Sequence, residues 1–279
     1  MRHLFTALSA LALAAALTFL TLPLLAIFLR VPPGRLLDQL GSDAAVTALL
    51  LSLRTSLIAN ALVLAVGTPA AYLVARRRFP GRRLLITLVE LPLVLPPTVA
   101  GIGLLAAFGR AGLLGGELDA LGVTIPFTTA AVVAAVAFVA SPFYMRQAIA
   151  AFEAVDGTLL DAARTLGAGP WRAFRTVALP LAGGGLAAGA ALAFARGIGE
   201  FGATIVFAGN LEGVTRTLPL AVYSQLDEDF TTALAIAALL VVFSAAVLIA
   251  VKLVSWARPA SPSISIFRDA PSASASRST

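Results

Sequence analysis

Cysteine is absent from the 279 residues, and histidine and lysine occur once each, as His3 and Lys252. Without thiols there is no disulfide scaffold, thiolate metal site or cysteine nucleophile. A single imidazole likewise excludes histidine metal clusters and Ser-His pairs. Lys252 follows Ala250-Val251 rather than a glycine loop. The G-x-x-x-x-G-K-[ST] phosphate cradle is therefore missing, and the chain does not bind ATP in that manner by itself. Charge is also scarce: 12% of residues are Asp, Glu, Lys or Arg and 59% are apolar, against about 25% and about 45–50% in soluble domains. That balance excludes a soluble enzyme.

What is present is a series of apolar runs of about the 20 residues that a helix needs to cross a bilayer. Four are uncharged: Leu4–Leu29, Thr55–Ala75, Ala120–Met145 and Phe230–Val251. Two carry charge, Leu84–Gly109 with Glu90, and roughly Val177–Asn210 with Arg196 and Glu200. Helices satisfy their own backbone groups in lipid, and the period-two pattern of a transmembrane barrel is nowhere seen. The predicted fold is an all-α integral membrane protein with six transmembrane helices. No aspartate falls within these runs, which excludes proteolysis by an intramembrane aspartate pair. The alternative of a cleaved signal at the first run is disfavoured by its 26 apolar residues, since a signal core has about 7–15.

Basic residues mark one side of the membrane. With the N-terminus cytoplasmic, that side holds Arg2, Arg76, Arg77, Arg78, Arg82, Arg83, Arg146, Arg164, Arg172, Arg175, Lys252, Arg258, Arg268 and Arg277. The opposite side holds only Arg30, Arg35, Arg54, Arg110 and Arg216, and it carries the acidic cluster Asp227-Glu228-Asp229. Both termini are thus predicted to be cytoplasmic, and the net charge of +6 reflects membrane-adjacent loops rather than nucleic-acid binding. Residues 1–54 are expected to hold the first helix and an external loop, and 55–256 a core of five transmembrane helices. The Ser-, Ala- and Pro-rich stretch 257–279 reads as a disordered cytoplasmic tail.

The loop between the fourth and fifth spans, roughly Arg146–Pro180, is long for a helical membrane protein. Within it Thr158-x-x-Asp161 resembles a capping box, Asp161 and Arg164 stand at i,i+3, and Gly167 is placed to end a helix of about 157–167. Leu159, Leu160, Ala163 and Leu166 would share one face. Such a helix suits insertion into a groove on another protein; the alternative is a helix lying in the lipid interface.

In the third span Pro92, Pro96 and Pro97 free backbone carbonyls that lipid cannot satisfy, so this stretch should face protein or water. The fifth span holds Gly183, Gly184, Gly185, Gly189, Gly197, Gly199 and Gly202. The first four suit close helix packing. Gly199 and Gly202 flank Glu200, where exposed N–H groups would suit an oxyanion. Arg196 and Glu200 are one turn apart and predicted to pair near the external face, offsetting an insertion cost of about 2.5–3.5 kcal/mol per mid-membrane charge. Glu90 is expected to pair with Arg83.

The docking segment resembles the EAA motif of permease subunits of ATP-binding-cassette importers: Asp161-Ala162-Ala163, Gly167, Val177 and Leu179-Pro180 keep every spacing, with Asp for Glu and Val for Ile as departures. Leu91-Pro92-Leu93-Val94-Leu95-Pro96-Pro97-Thr98-Val99-Ala100-Gly101, the run Gly199–Asn210 and Thr215–Leu220 are similar to molybdate importer permeases, with sulfate and thiosulfate permeases as close relatives. The resemblance implies the fold of type I importer permeases and a coupling helix formed by Leu160, Asp161, Ala162, Ala163, Arg164, Leu166 and Gly167. It implies a separate ATPase subunit that binds ATP and Mg, an extracytoplasmic oxyanion-binding protein, and a homodimer of permeases in the cell membrane. This chain would then bind no cofactor and no metal and carry no catalytic residue. Pro96, Pro97, Thr98, Arg196, Glu200, Phe201, Gly202 and Thr204 are the candidates for the path or gate. A bare carboxylate repels an oxyanion, so Glu200 is expected to position Arg196 or a helix across the dimer interface. The alternative from another class is a proton-coupled secondary transporter in which Glu90 and Glu200 titrate.

Overall fold

The computed structural model describes residues 2–256; the tail expected to be disordered, 257–279, lies outside them. In chain order the helices are α1 (Arg2–Arg30), α2 (Pro33–Leu40), α3 (Asp43–Arg76), α4 (Arg82–Val94), α5 (Pro97–Phe108), α6 (Gly115–Ala120), α7 (Thr129–Glu153), α8 (Gly157–Thr165), α9 (Pro170–Ala173), α10 (Leu179–Ile198), α11 (Gly202–Phe207), α12 (Leu218–Gln225) and α13 (Phe230–Trp256). A π-helical turn, Phe174–Ala178, joins α9 to α10. No strand occurs among the described residues.

Five helices are long and apolar enough to cross a bilayer: α1, α3, α7, the run from Pro170 to Ile198, and α13. The remaining expected span, the third in chain order, is not one helix but two, α4 and α5, bent by 115°. The cause is local. A residue before proline is pushed out of the helical region, and here two such residues are consecutive: Leu95 (φ −68, ψ 133) precedes Pro96, and Pro96 (φ −54, ψ 134) precedes Pro97. Pro97 then opens α5 at a position that needs no N–H donor. Pro92, by contrast, stays within α4.

Other boundaries moved as well. α3 begins at Asp43, not Thr55, because Ser42 caps it with its hydroxyl accepting from the Ala45 N–H. The external loop expected before Thr55 is thus partly helical. α7 starts at Thr129, where Thr128 caps it, and runs on to Glu153. Arg146, expected in the docking loop, therefore lies inside a helix. The fifth span ends at Ile198, and Glu200 sits in the break before α11.

α7 is the centre of the bundle, packed between α3 and α10 and touched by α4, α5 and α11. Its seams are closed by small residues. A Cβ at Gly67 would lie 2.9 Å from the Tyr144 ring, at Gly185 2.5 Å from Ala151 Cβ, at Gly189 2.8 Å from Gln147 Cβ and at Gly197 2.8 Å from Val136 Cγ1. Gly185, Gly189 and Gly197 recur on one face of α10 at multiples of four residues, which brings two backbones close. α1, in contrast, buries no residue and packs on α13.

Candidate functional site

The docking segment is built as a short helix standing on an aromatic base. Its N-cap is Asp156, not Thr158: the Asp156 carboxylate accepts from the Thr158 N–H at 2.9 Å. The capping-box reading of Thr158 and Asp161 is thereby corrected, since Thr158 already lies within the first turn. The bond from the Thr158 backbone, with a further contribution from its side chain, holds the Asp156 carboxyl below the usual carboxylate range. At the other end Gly167 has φ +83, its N–H donates to Arg164 O at 2.9 Å, and Ala168 N–H donates to Ala163 O at 2.9 Å. This pair of bonds is a Schellman ending, and glycine fits it because other residues are strained at positive φ. Asp161 and Arg164 pair at 2.9 Å on the exposed side.

Beneath α8, Tyr72 of α3 packs on Phe152 of α7 (ring centroids 5.2 Å) and on Phe174 (4.7 Å), and Trp171 stacks on Phe174 at 5.5 Å. Leu160, 3% exposed, and Ala163 press into this base. The expected single apolar face is therefore split. Leu160 anchors the helix to its own chain, whereas Leu159 (48% exposed), Leu166 (88%) and Trp171 (69%) point away from the bundle. Asp161, Ala162, Arg164 and Gly167 are exposed with them. The cause is the helical period: Leu159 and Leu160 are adjacent, so they stand about 100° apart around the axis. Two arginines complete the mounting. Arg76 donates to Val155 O at 2.6 Å, and Arg82 donates to Val74 O at 2.7 Å and pairs with Glu153. Trp171 and Asp156 were not singled out from the sequence, and Arg76 was named only as a basic residue marking the cytoplasmic side. The tryptophan after Gly169-Pro170 was the visible clue for one of them.

At the far end of the bundle, Arg196 and Glu200 pair at 2.8 Å, as the spacing predicts. The Glu200 side chain is 1% exposed, and Arg196 reaches the edge at 29%. Glu200 also accepts from the Ala203 N–H at 2.8 Å, so its carboxylate occupies the amino end of α11. The expectation was that Gly199 and Gly202 frame free N–H groups for an oxyanion; at Ala203 the N–H is taken by the chain's own carboxylate. Gly199 has open space around it, whereas Gly202 is a contact point, with a Cβ there 2.7 Å from Pro97 Cβ and 3.3 Å from Thr98 N. Gly101 mirrors it, a Cβ falling 2.8 Å from Ala203 O. α5, the second half of the broken span, and α11, the short helix that follows the fifth span, thus lock together through a glycine on each.

The candidate gate residues therefore separate into groups. Pro97, Thr98, Gly202, Arg196 and Glu200 are brought together around the α5–α11 crossing, and Pro96, Pro97 and Thr98 remain exposed at the bend. Phe201 stacks on Tyr223 of α12 at 5.1 Å. Thr204 is fully buried with no hydrogen-bond partner for its hydroxyl, so it faces packing rather than an opening. Glu90 pairs not with Arg83 but with Arg146 of α7, at 3.1 Å. No cluster of three or more His, Asp or Glu able to hold a metal occurs among the described residues.

Comparison with known proteins agrees with this architecture. The molybdenum transport system permease protein of Mycobacterium bovis is 45% identical over 237 residues, covering 85% of this chain and 90% of its own. That of Escherichia coli K12 is 46% identical over 187 residues, 67% of this chain and 82% of its own. Among solved structures, a bacterial ABC transporter involved in alginate import superposes with a TM-score of 0.73 at 13% identity, covering 92% of this chain and 96% of that one. A methionine ABC transporter in an inward-facing form gives 0.57 at 19% identity, over 77% and 94%. These two likenesses concern the fold. Residues 67–256 match the family model described as binding-protein-dependent transport system inner membrane component. The chain is a multi-pass membrane protein and belongs to that family.

Proposed function

We propose that the chain is the membrane-spanning subunit of an ATP-driven importer that carries molybdate into the cytoplasm, with tungstate, of similar size and charge, as a second cargo. The observation that carries this reading is the α8 platform: a capped helix on an aromatic base that, with its C-cap Leu166 and Trp171 of α9, presents Leu159, Leu166 and Trp171 outward from a chain with no phosphate loop. Such a surface needs a partner, and a separate ATPase that holds ATP and Mg fits it. This chain is then not an enzyme and binds no cofactor itself. The names of the molybdenum permease relatives support the cargo.

Two copies enclosing one path explain why polar features stand on an outer face. Glu90, Arg146 and the exposed Pro96-Pro97-Thr98 bend would be costly against lipid but stable against water between two protomers. Both termini are cytoplasmic in this arrangement, and an extracytoplasmic binding protein delivers the anion at the α11–α12 end. ATP closes the ATPase pair, α8 follows, and the α3–α7–α10 body carries the motion outward. Release of products restores the inward-open state.

The test is uptake of labelled molybdate and labelled sulfate by vesicles holding the permease, ATPase and binding protein. ATP-dependent accumulation of molybdate, competed by tungstate, is expected. Accumulation of sulfate alone would make the chain a sulfate permease, and pH-driven flux without the ATPase would make it a secondary transporter. A second prediction concerns the docking helix. Gly167→Val puts a β-branched residue at φ +83, costing roughly 1–2 kcal/mol locally. It should lower binding-protein-stimulated ATP hydrolysis severalfold, and unchanged stimulation would count against docking at α8.

A further inference from the structure

α4 is attached to the bundle differently from its neighbours. It buries none of its residues, and its main packing partner is α7, which runs antiparallel to it. The α3–α7 and α10–α7 seams are closed by glycines that leave no room for a Cβ against α7 side chains, but α4 and α7 face each other across a groove of about 300 Å³. Only Ile86, Val89, Ile149 and Ala150 supply apolar lining. Two ion pairs bridge it: Arg82–Glu153 at the docking end, and Glu90–Arg146. Glu90 is eight residues beyond Arg82 and Arg146 seven before Glu153, so the rungs stand about 10–12 Å apart along the helices.

The ends of this arrangement matter. α7 leads within four residues into α8, and α4 leads through Leu95-Pro96 into α5, which is locked to α11 beside Glu200. The bend between α4 and α5 is free to act as a hinge because no helical hydrogen bond spans it. Apart from the Arg82 bond to Val74 O at the start of α4 and the few apolar side chains in the groove, α4 is joined to α7 by these two rungs. Their side chains are half-exposed, so they open and close at small cost, unlike a buried pair.

We propose that Arg82–Glu153 and Glu90–Arg146 are a latch that makes α4, and through it the α5–α11 crossing, follow the docking end; Arg146 and Glu90 act as positioning residues that do not bind the anion. The proposal rests on the importer reading above. Its test uses the assembled permease–ATPase–binding-protein complex with E90Q, R146Q and the swap E90R/R146E, reading anion transported per ATP hydrolysed and hydrogen exchange of residues 82–94. Each neutralisation should lower transport per ATP severalfold while hydrolysis continues, and speed exchange in α4 about fivefold, the factor for roughly 1 kcal/mol of lost pairing. The swap should restore both. Unchanged single variants, or a swap that leaves transport lost, would overturn the latch; loss in R146Q with normal E90Q would instead make Arg146 an anion ligand. If the unmodified complex moves no anion with ATP, the importer reading fails, and the exchange measurement still decides whether the rungs hold α4.

Discussion

Arg196→Gln is expected to abolish uptake and to be the most destabilising single change at the far end of the molecule. The Glu200 carboxylate is 1% exposed and has two partners, the Arg196 guanidinium at 2.8 Å and the Ala203 N–H at 2.8 Å. Removing the guanidinium leaves a buried charge with one neutral donor. Stranding one member of a buried pair costs about 3–5 kcal/mol, and the lower end is expected because Arg196 itself reaches the edge. Glu200→Gln should be milder, since the amide oxygen still accepts from Ala203 and the half-buried arginine finds water. The double variant should lie close to Glu200→Gln, because no unpaired carboxylate remains. Thermal unfolding of the three variants in detergent orders them, and vesicle uptake reads the function. Retention of the ATPase on a tagged Arg196→Gln permease should be normal, since α8 stands at the other end of α7 and α10. A variant as stable and active as the parent would remove the pair from the gate.

The second large effect is expected at the crossing of α5 and α11. A Cβ at Gly202 would lie 2.7 Å from Pro97 Cβ, and one at Gly101 would lie 2.8 Å from Ala203 O. Neither obstacle is the free end of a flexible side chain; one is a proline ring and the other a backbone carbonyl. Gly202→Val and Gly101→Leu therefore force α5 and α11 apart, at about 1–3 kcal/mol each for the overpacking. Both should lose most uptake. Gly184→Ala is the internal control: nothing lies within 4 Å of its Cβ position, and alanine is favoured over glycine within a helix by up to about 1 kcal/mol. Unfolding temperatures and uptake for the three variants check this. Normal transport by Gly202→Val would mean that the crossing yields without consequence and is no part of the gate.

Much of the docking site was legible because it is local. The i,i+3 charge pair and the glycine ending are set by backbone geometry within one short segment, whatever surrounds them, whereas the cap was misplaced by two residues because Asp156 and Thr158 are both capping types. The Arg196–Glu200 pair was readable for the same reason, being one helical turn. Other errors arose where a choice depended on distant residues. Glu90 was assigned to Arg83, the nearest arginine along its own helix, whereas its partner Arg146 comes from the middle of α7. Leu160 was grouped with Leu159 and Leu166, but the ring cluster of Tyr72, Phe152 and Phe174 from three segments decides which leucine is drawn inward. Thr204 was placed on the path because of the residues around it, and it is packed away.

By itself the sequence determined that this is a helical membrane protein with a short helix, ended by a glycine, in its long loop, because low charge, apolar run length and turn-scale motifs act through solvent and backbone alone. It also marked where the third span must break, since consecutive prolines forbid a helix wherever they occur. Only the tertiary structure decided the 115° turn of that break, the glycine-to-proline lock between α5 and α11, and the pairing of Glu90 with Arg146 across α4 and α7. Those depend on which surfaces meet across the bundle, and side chains from separate helices settle that by shape and charge rather than by their order along the chain.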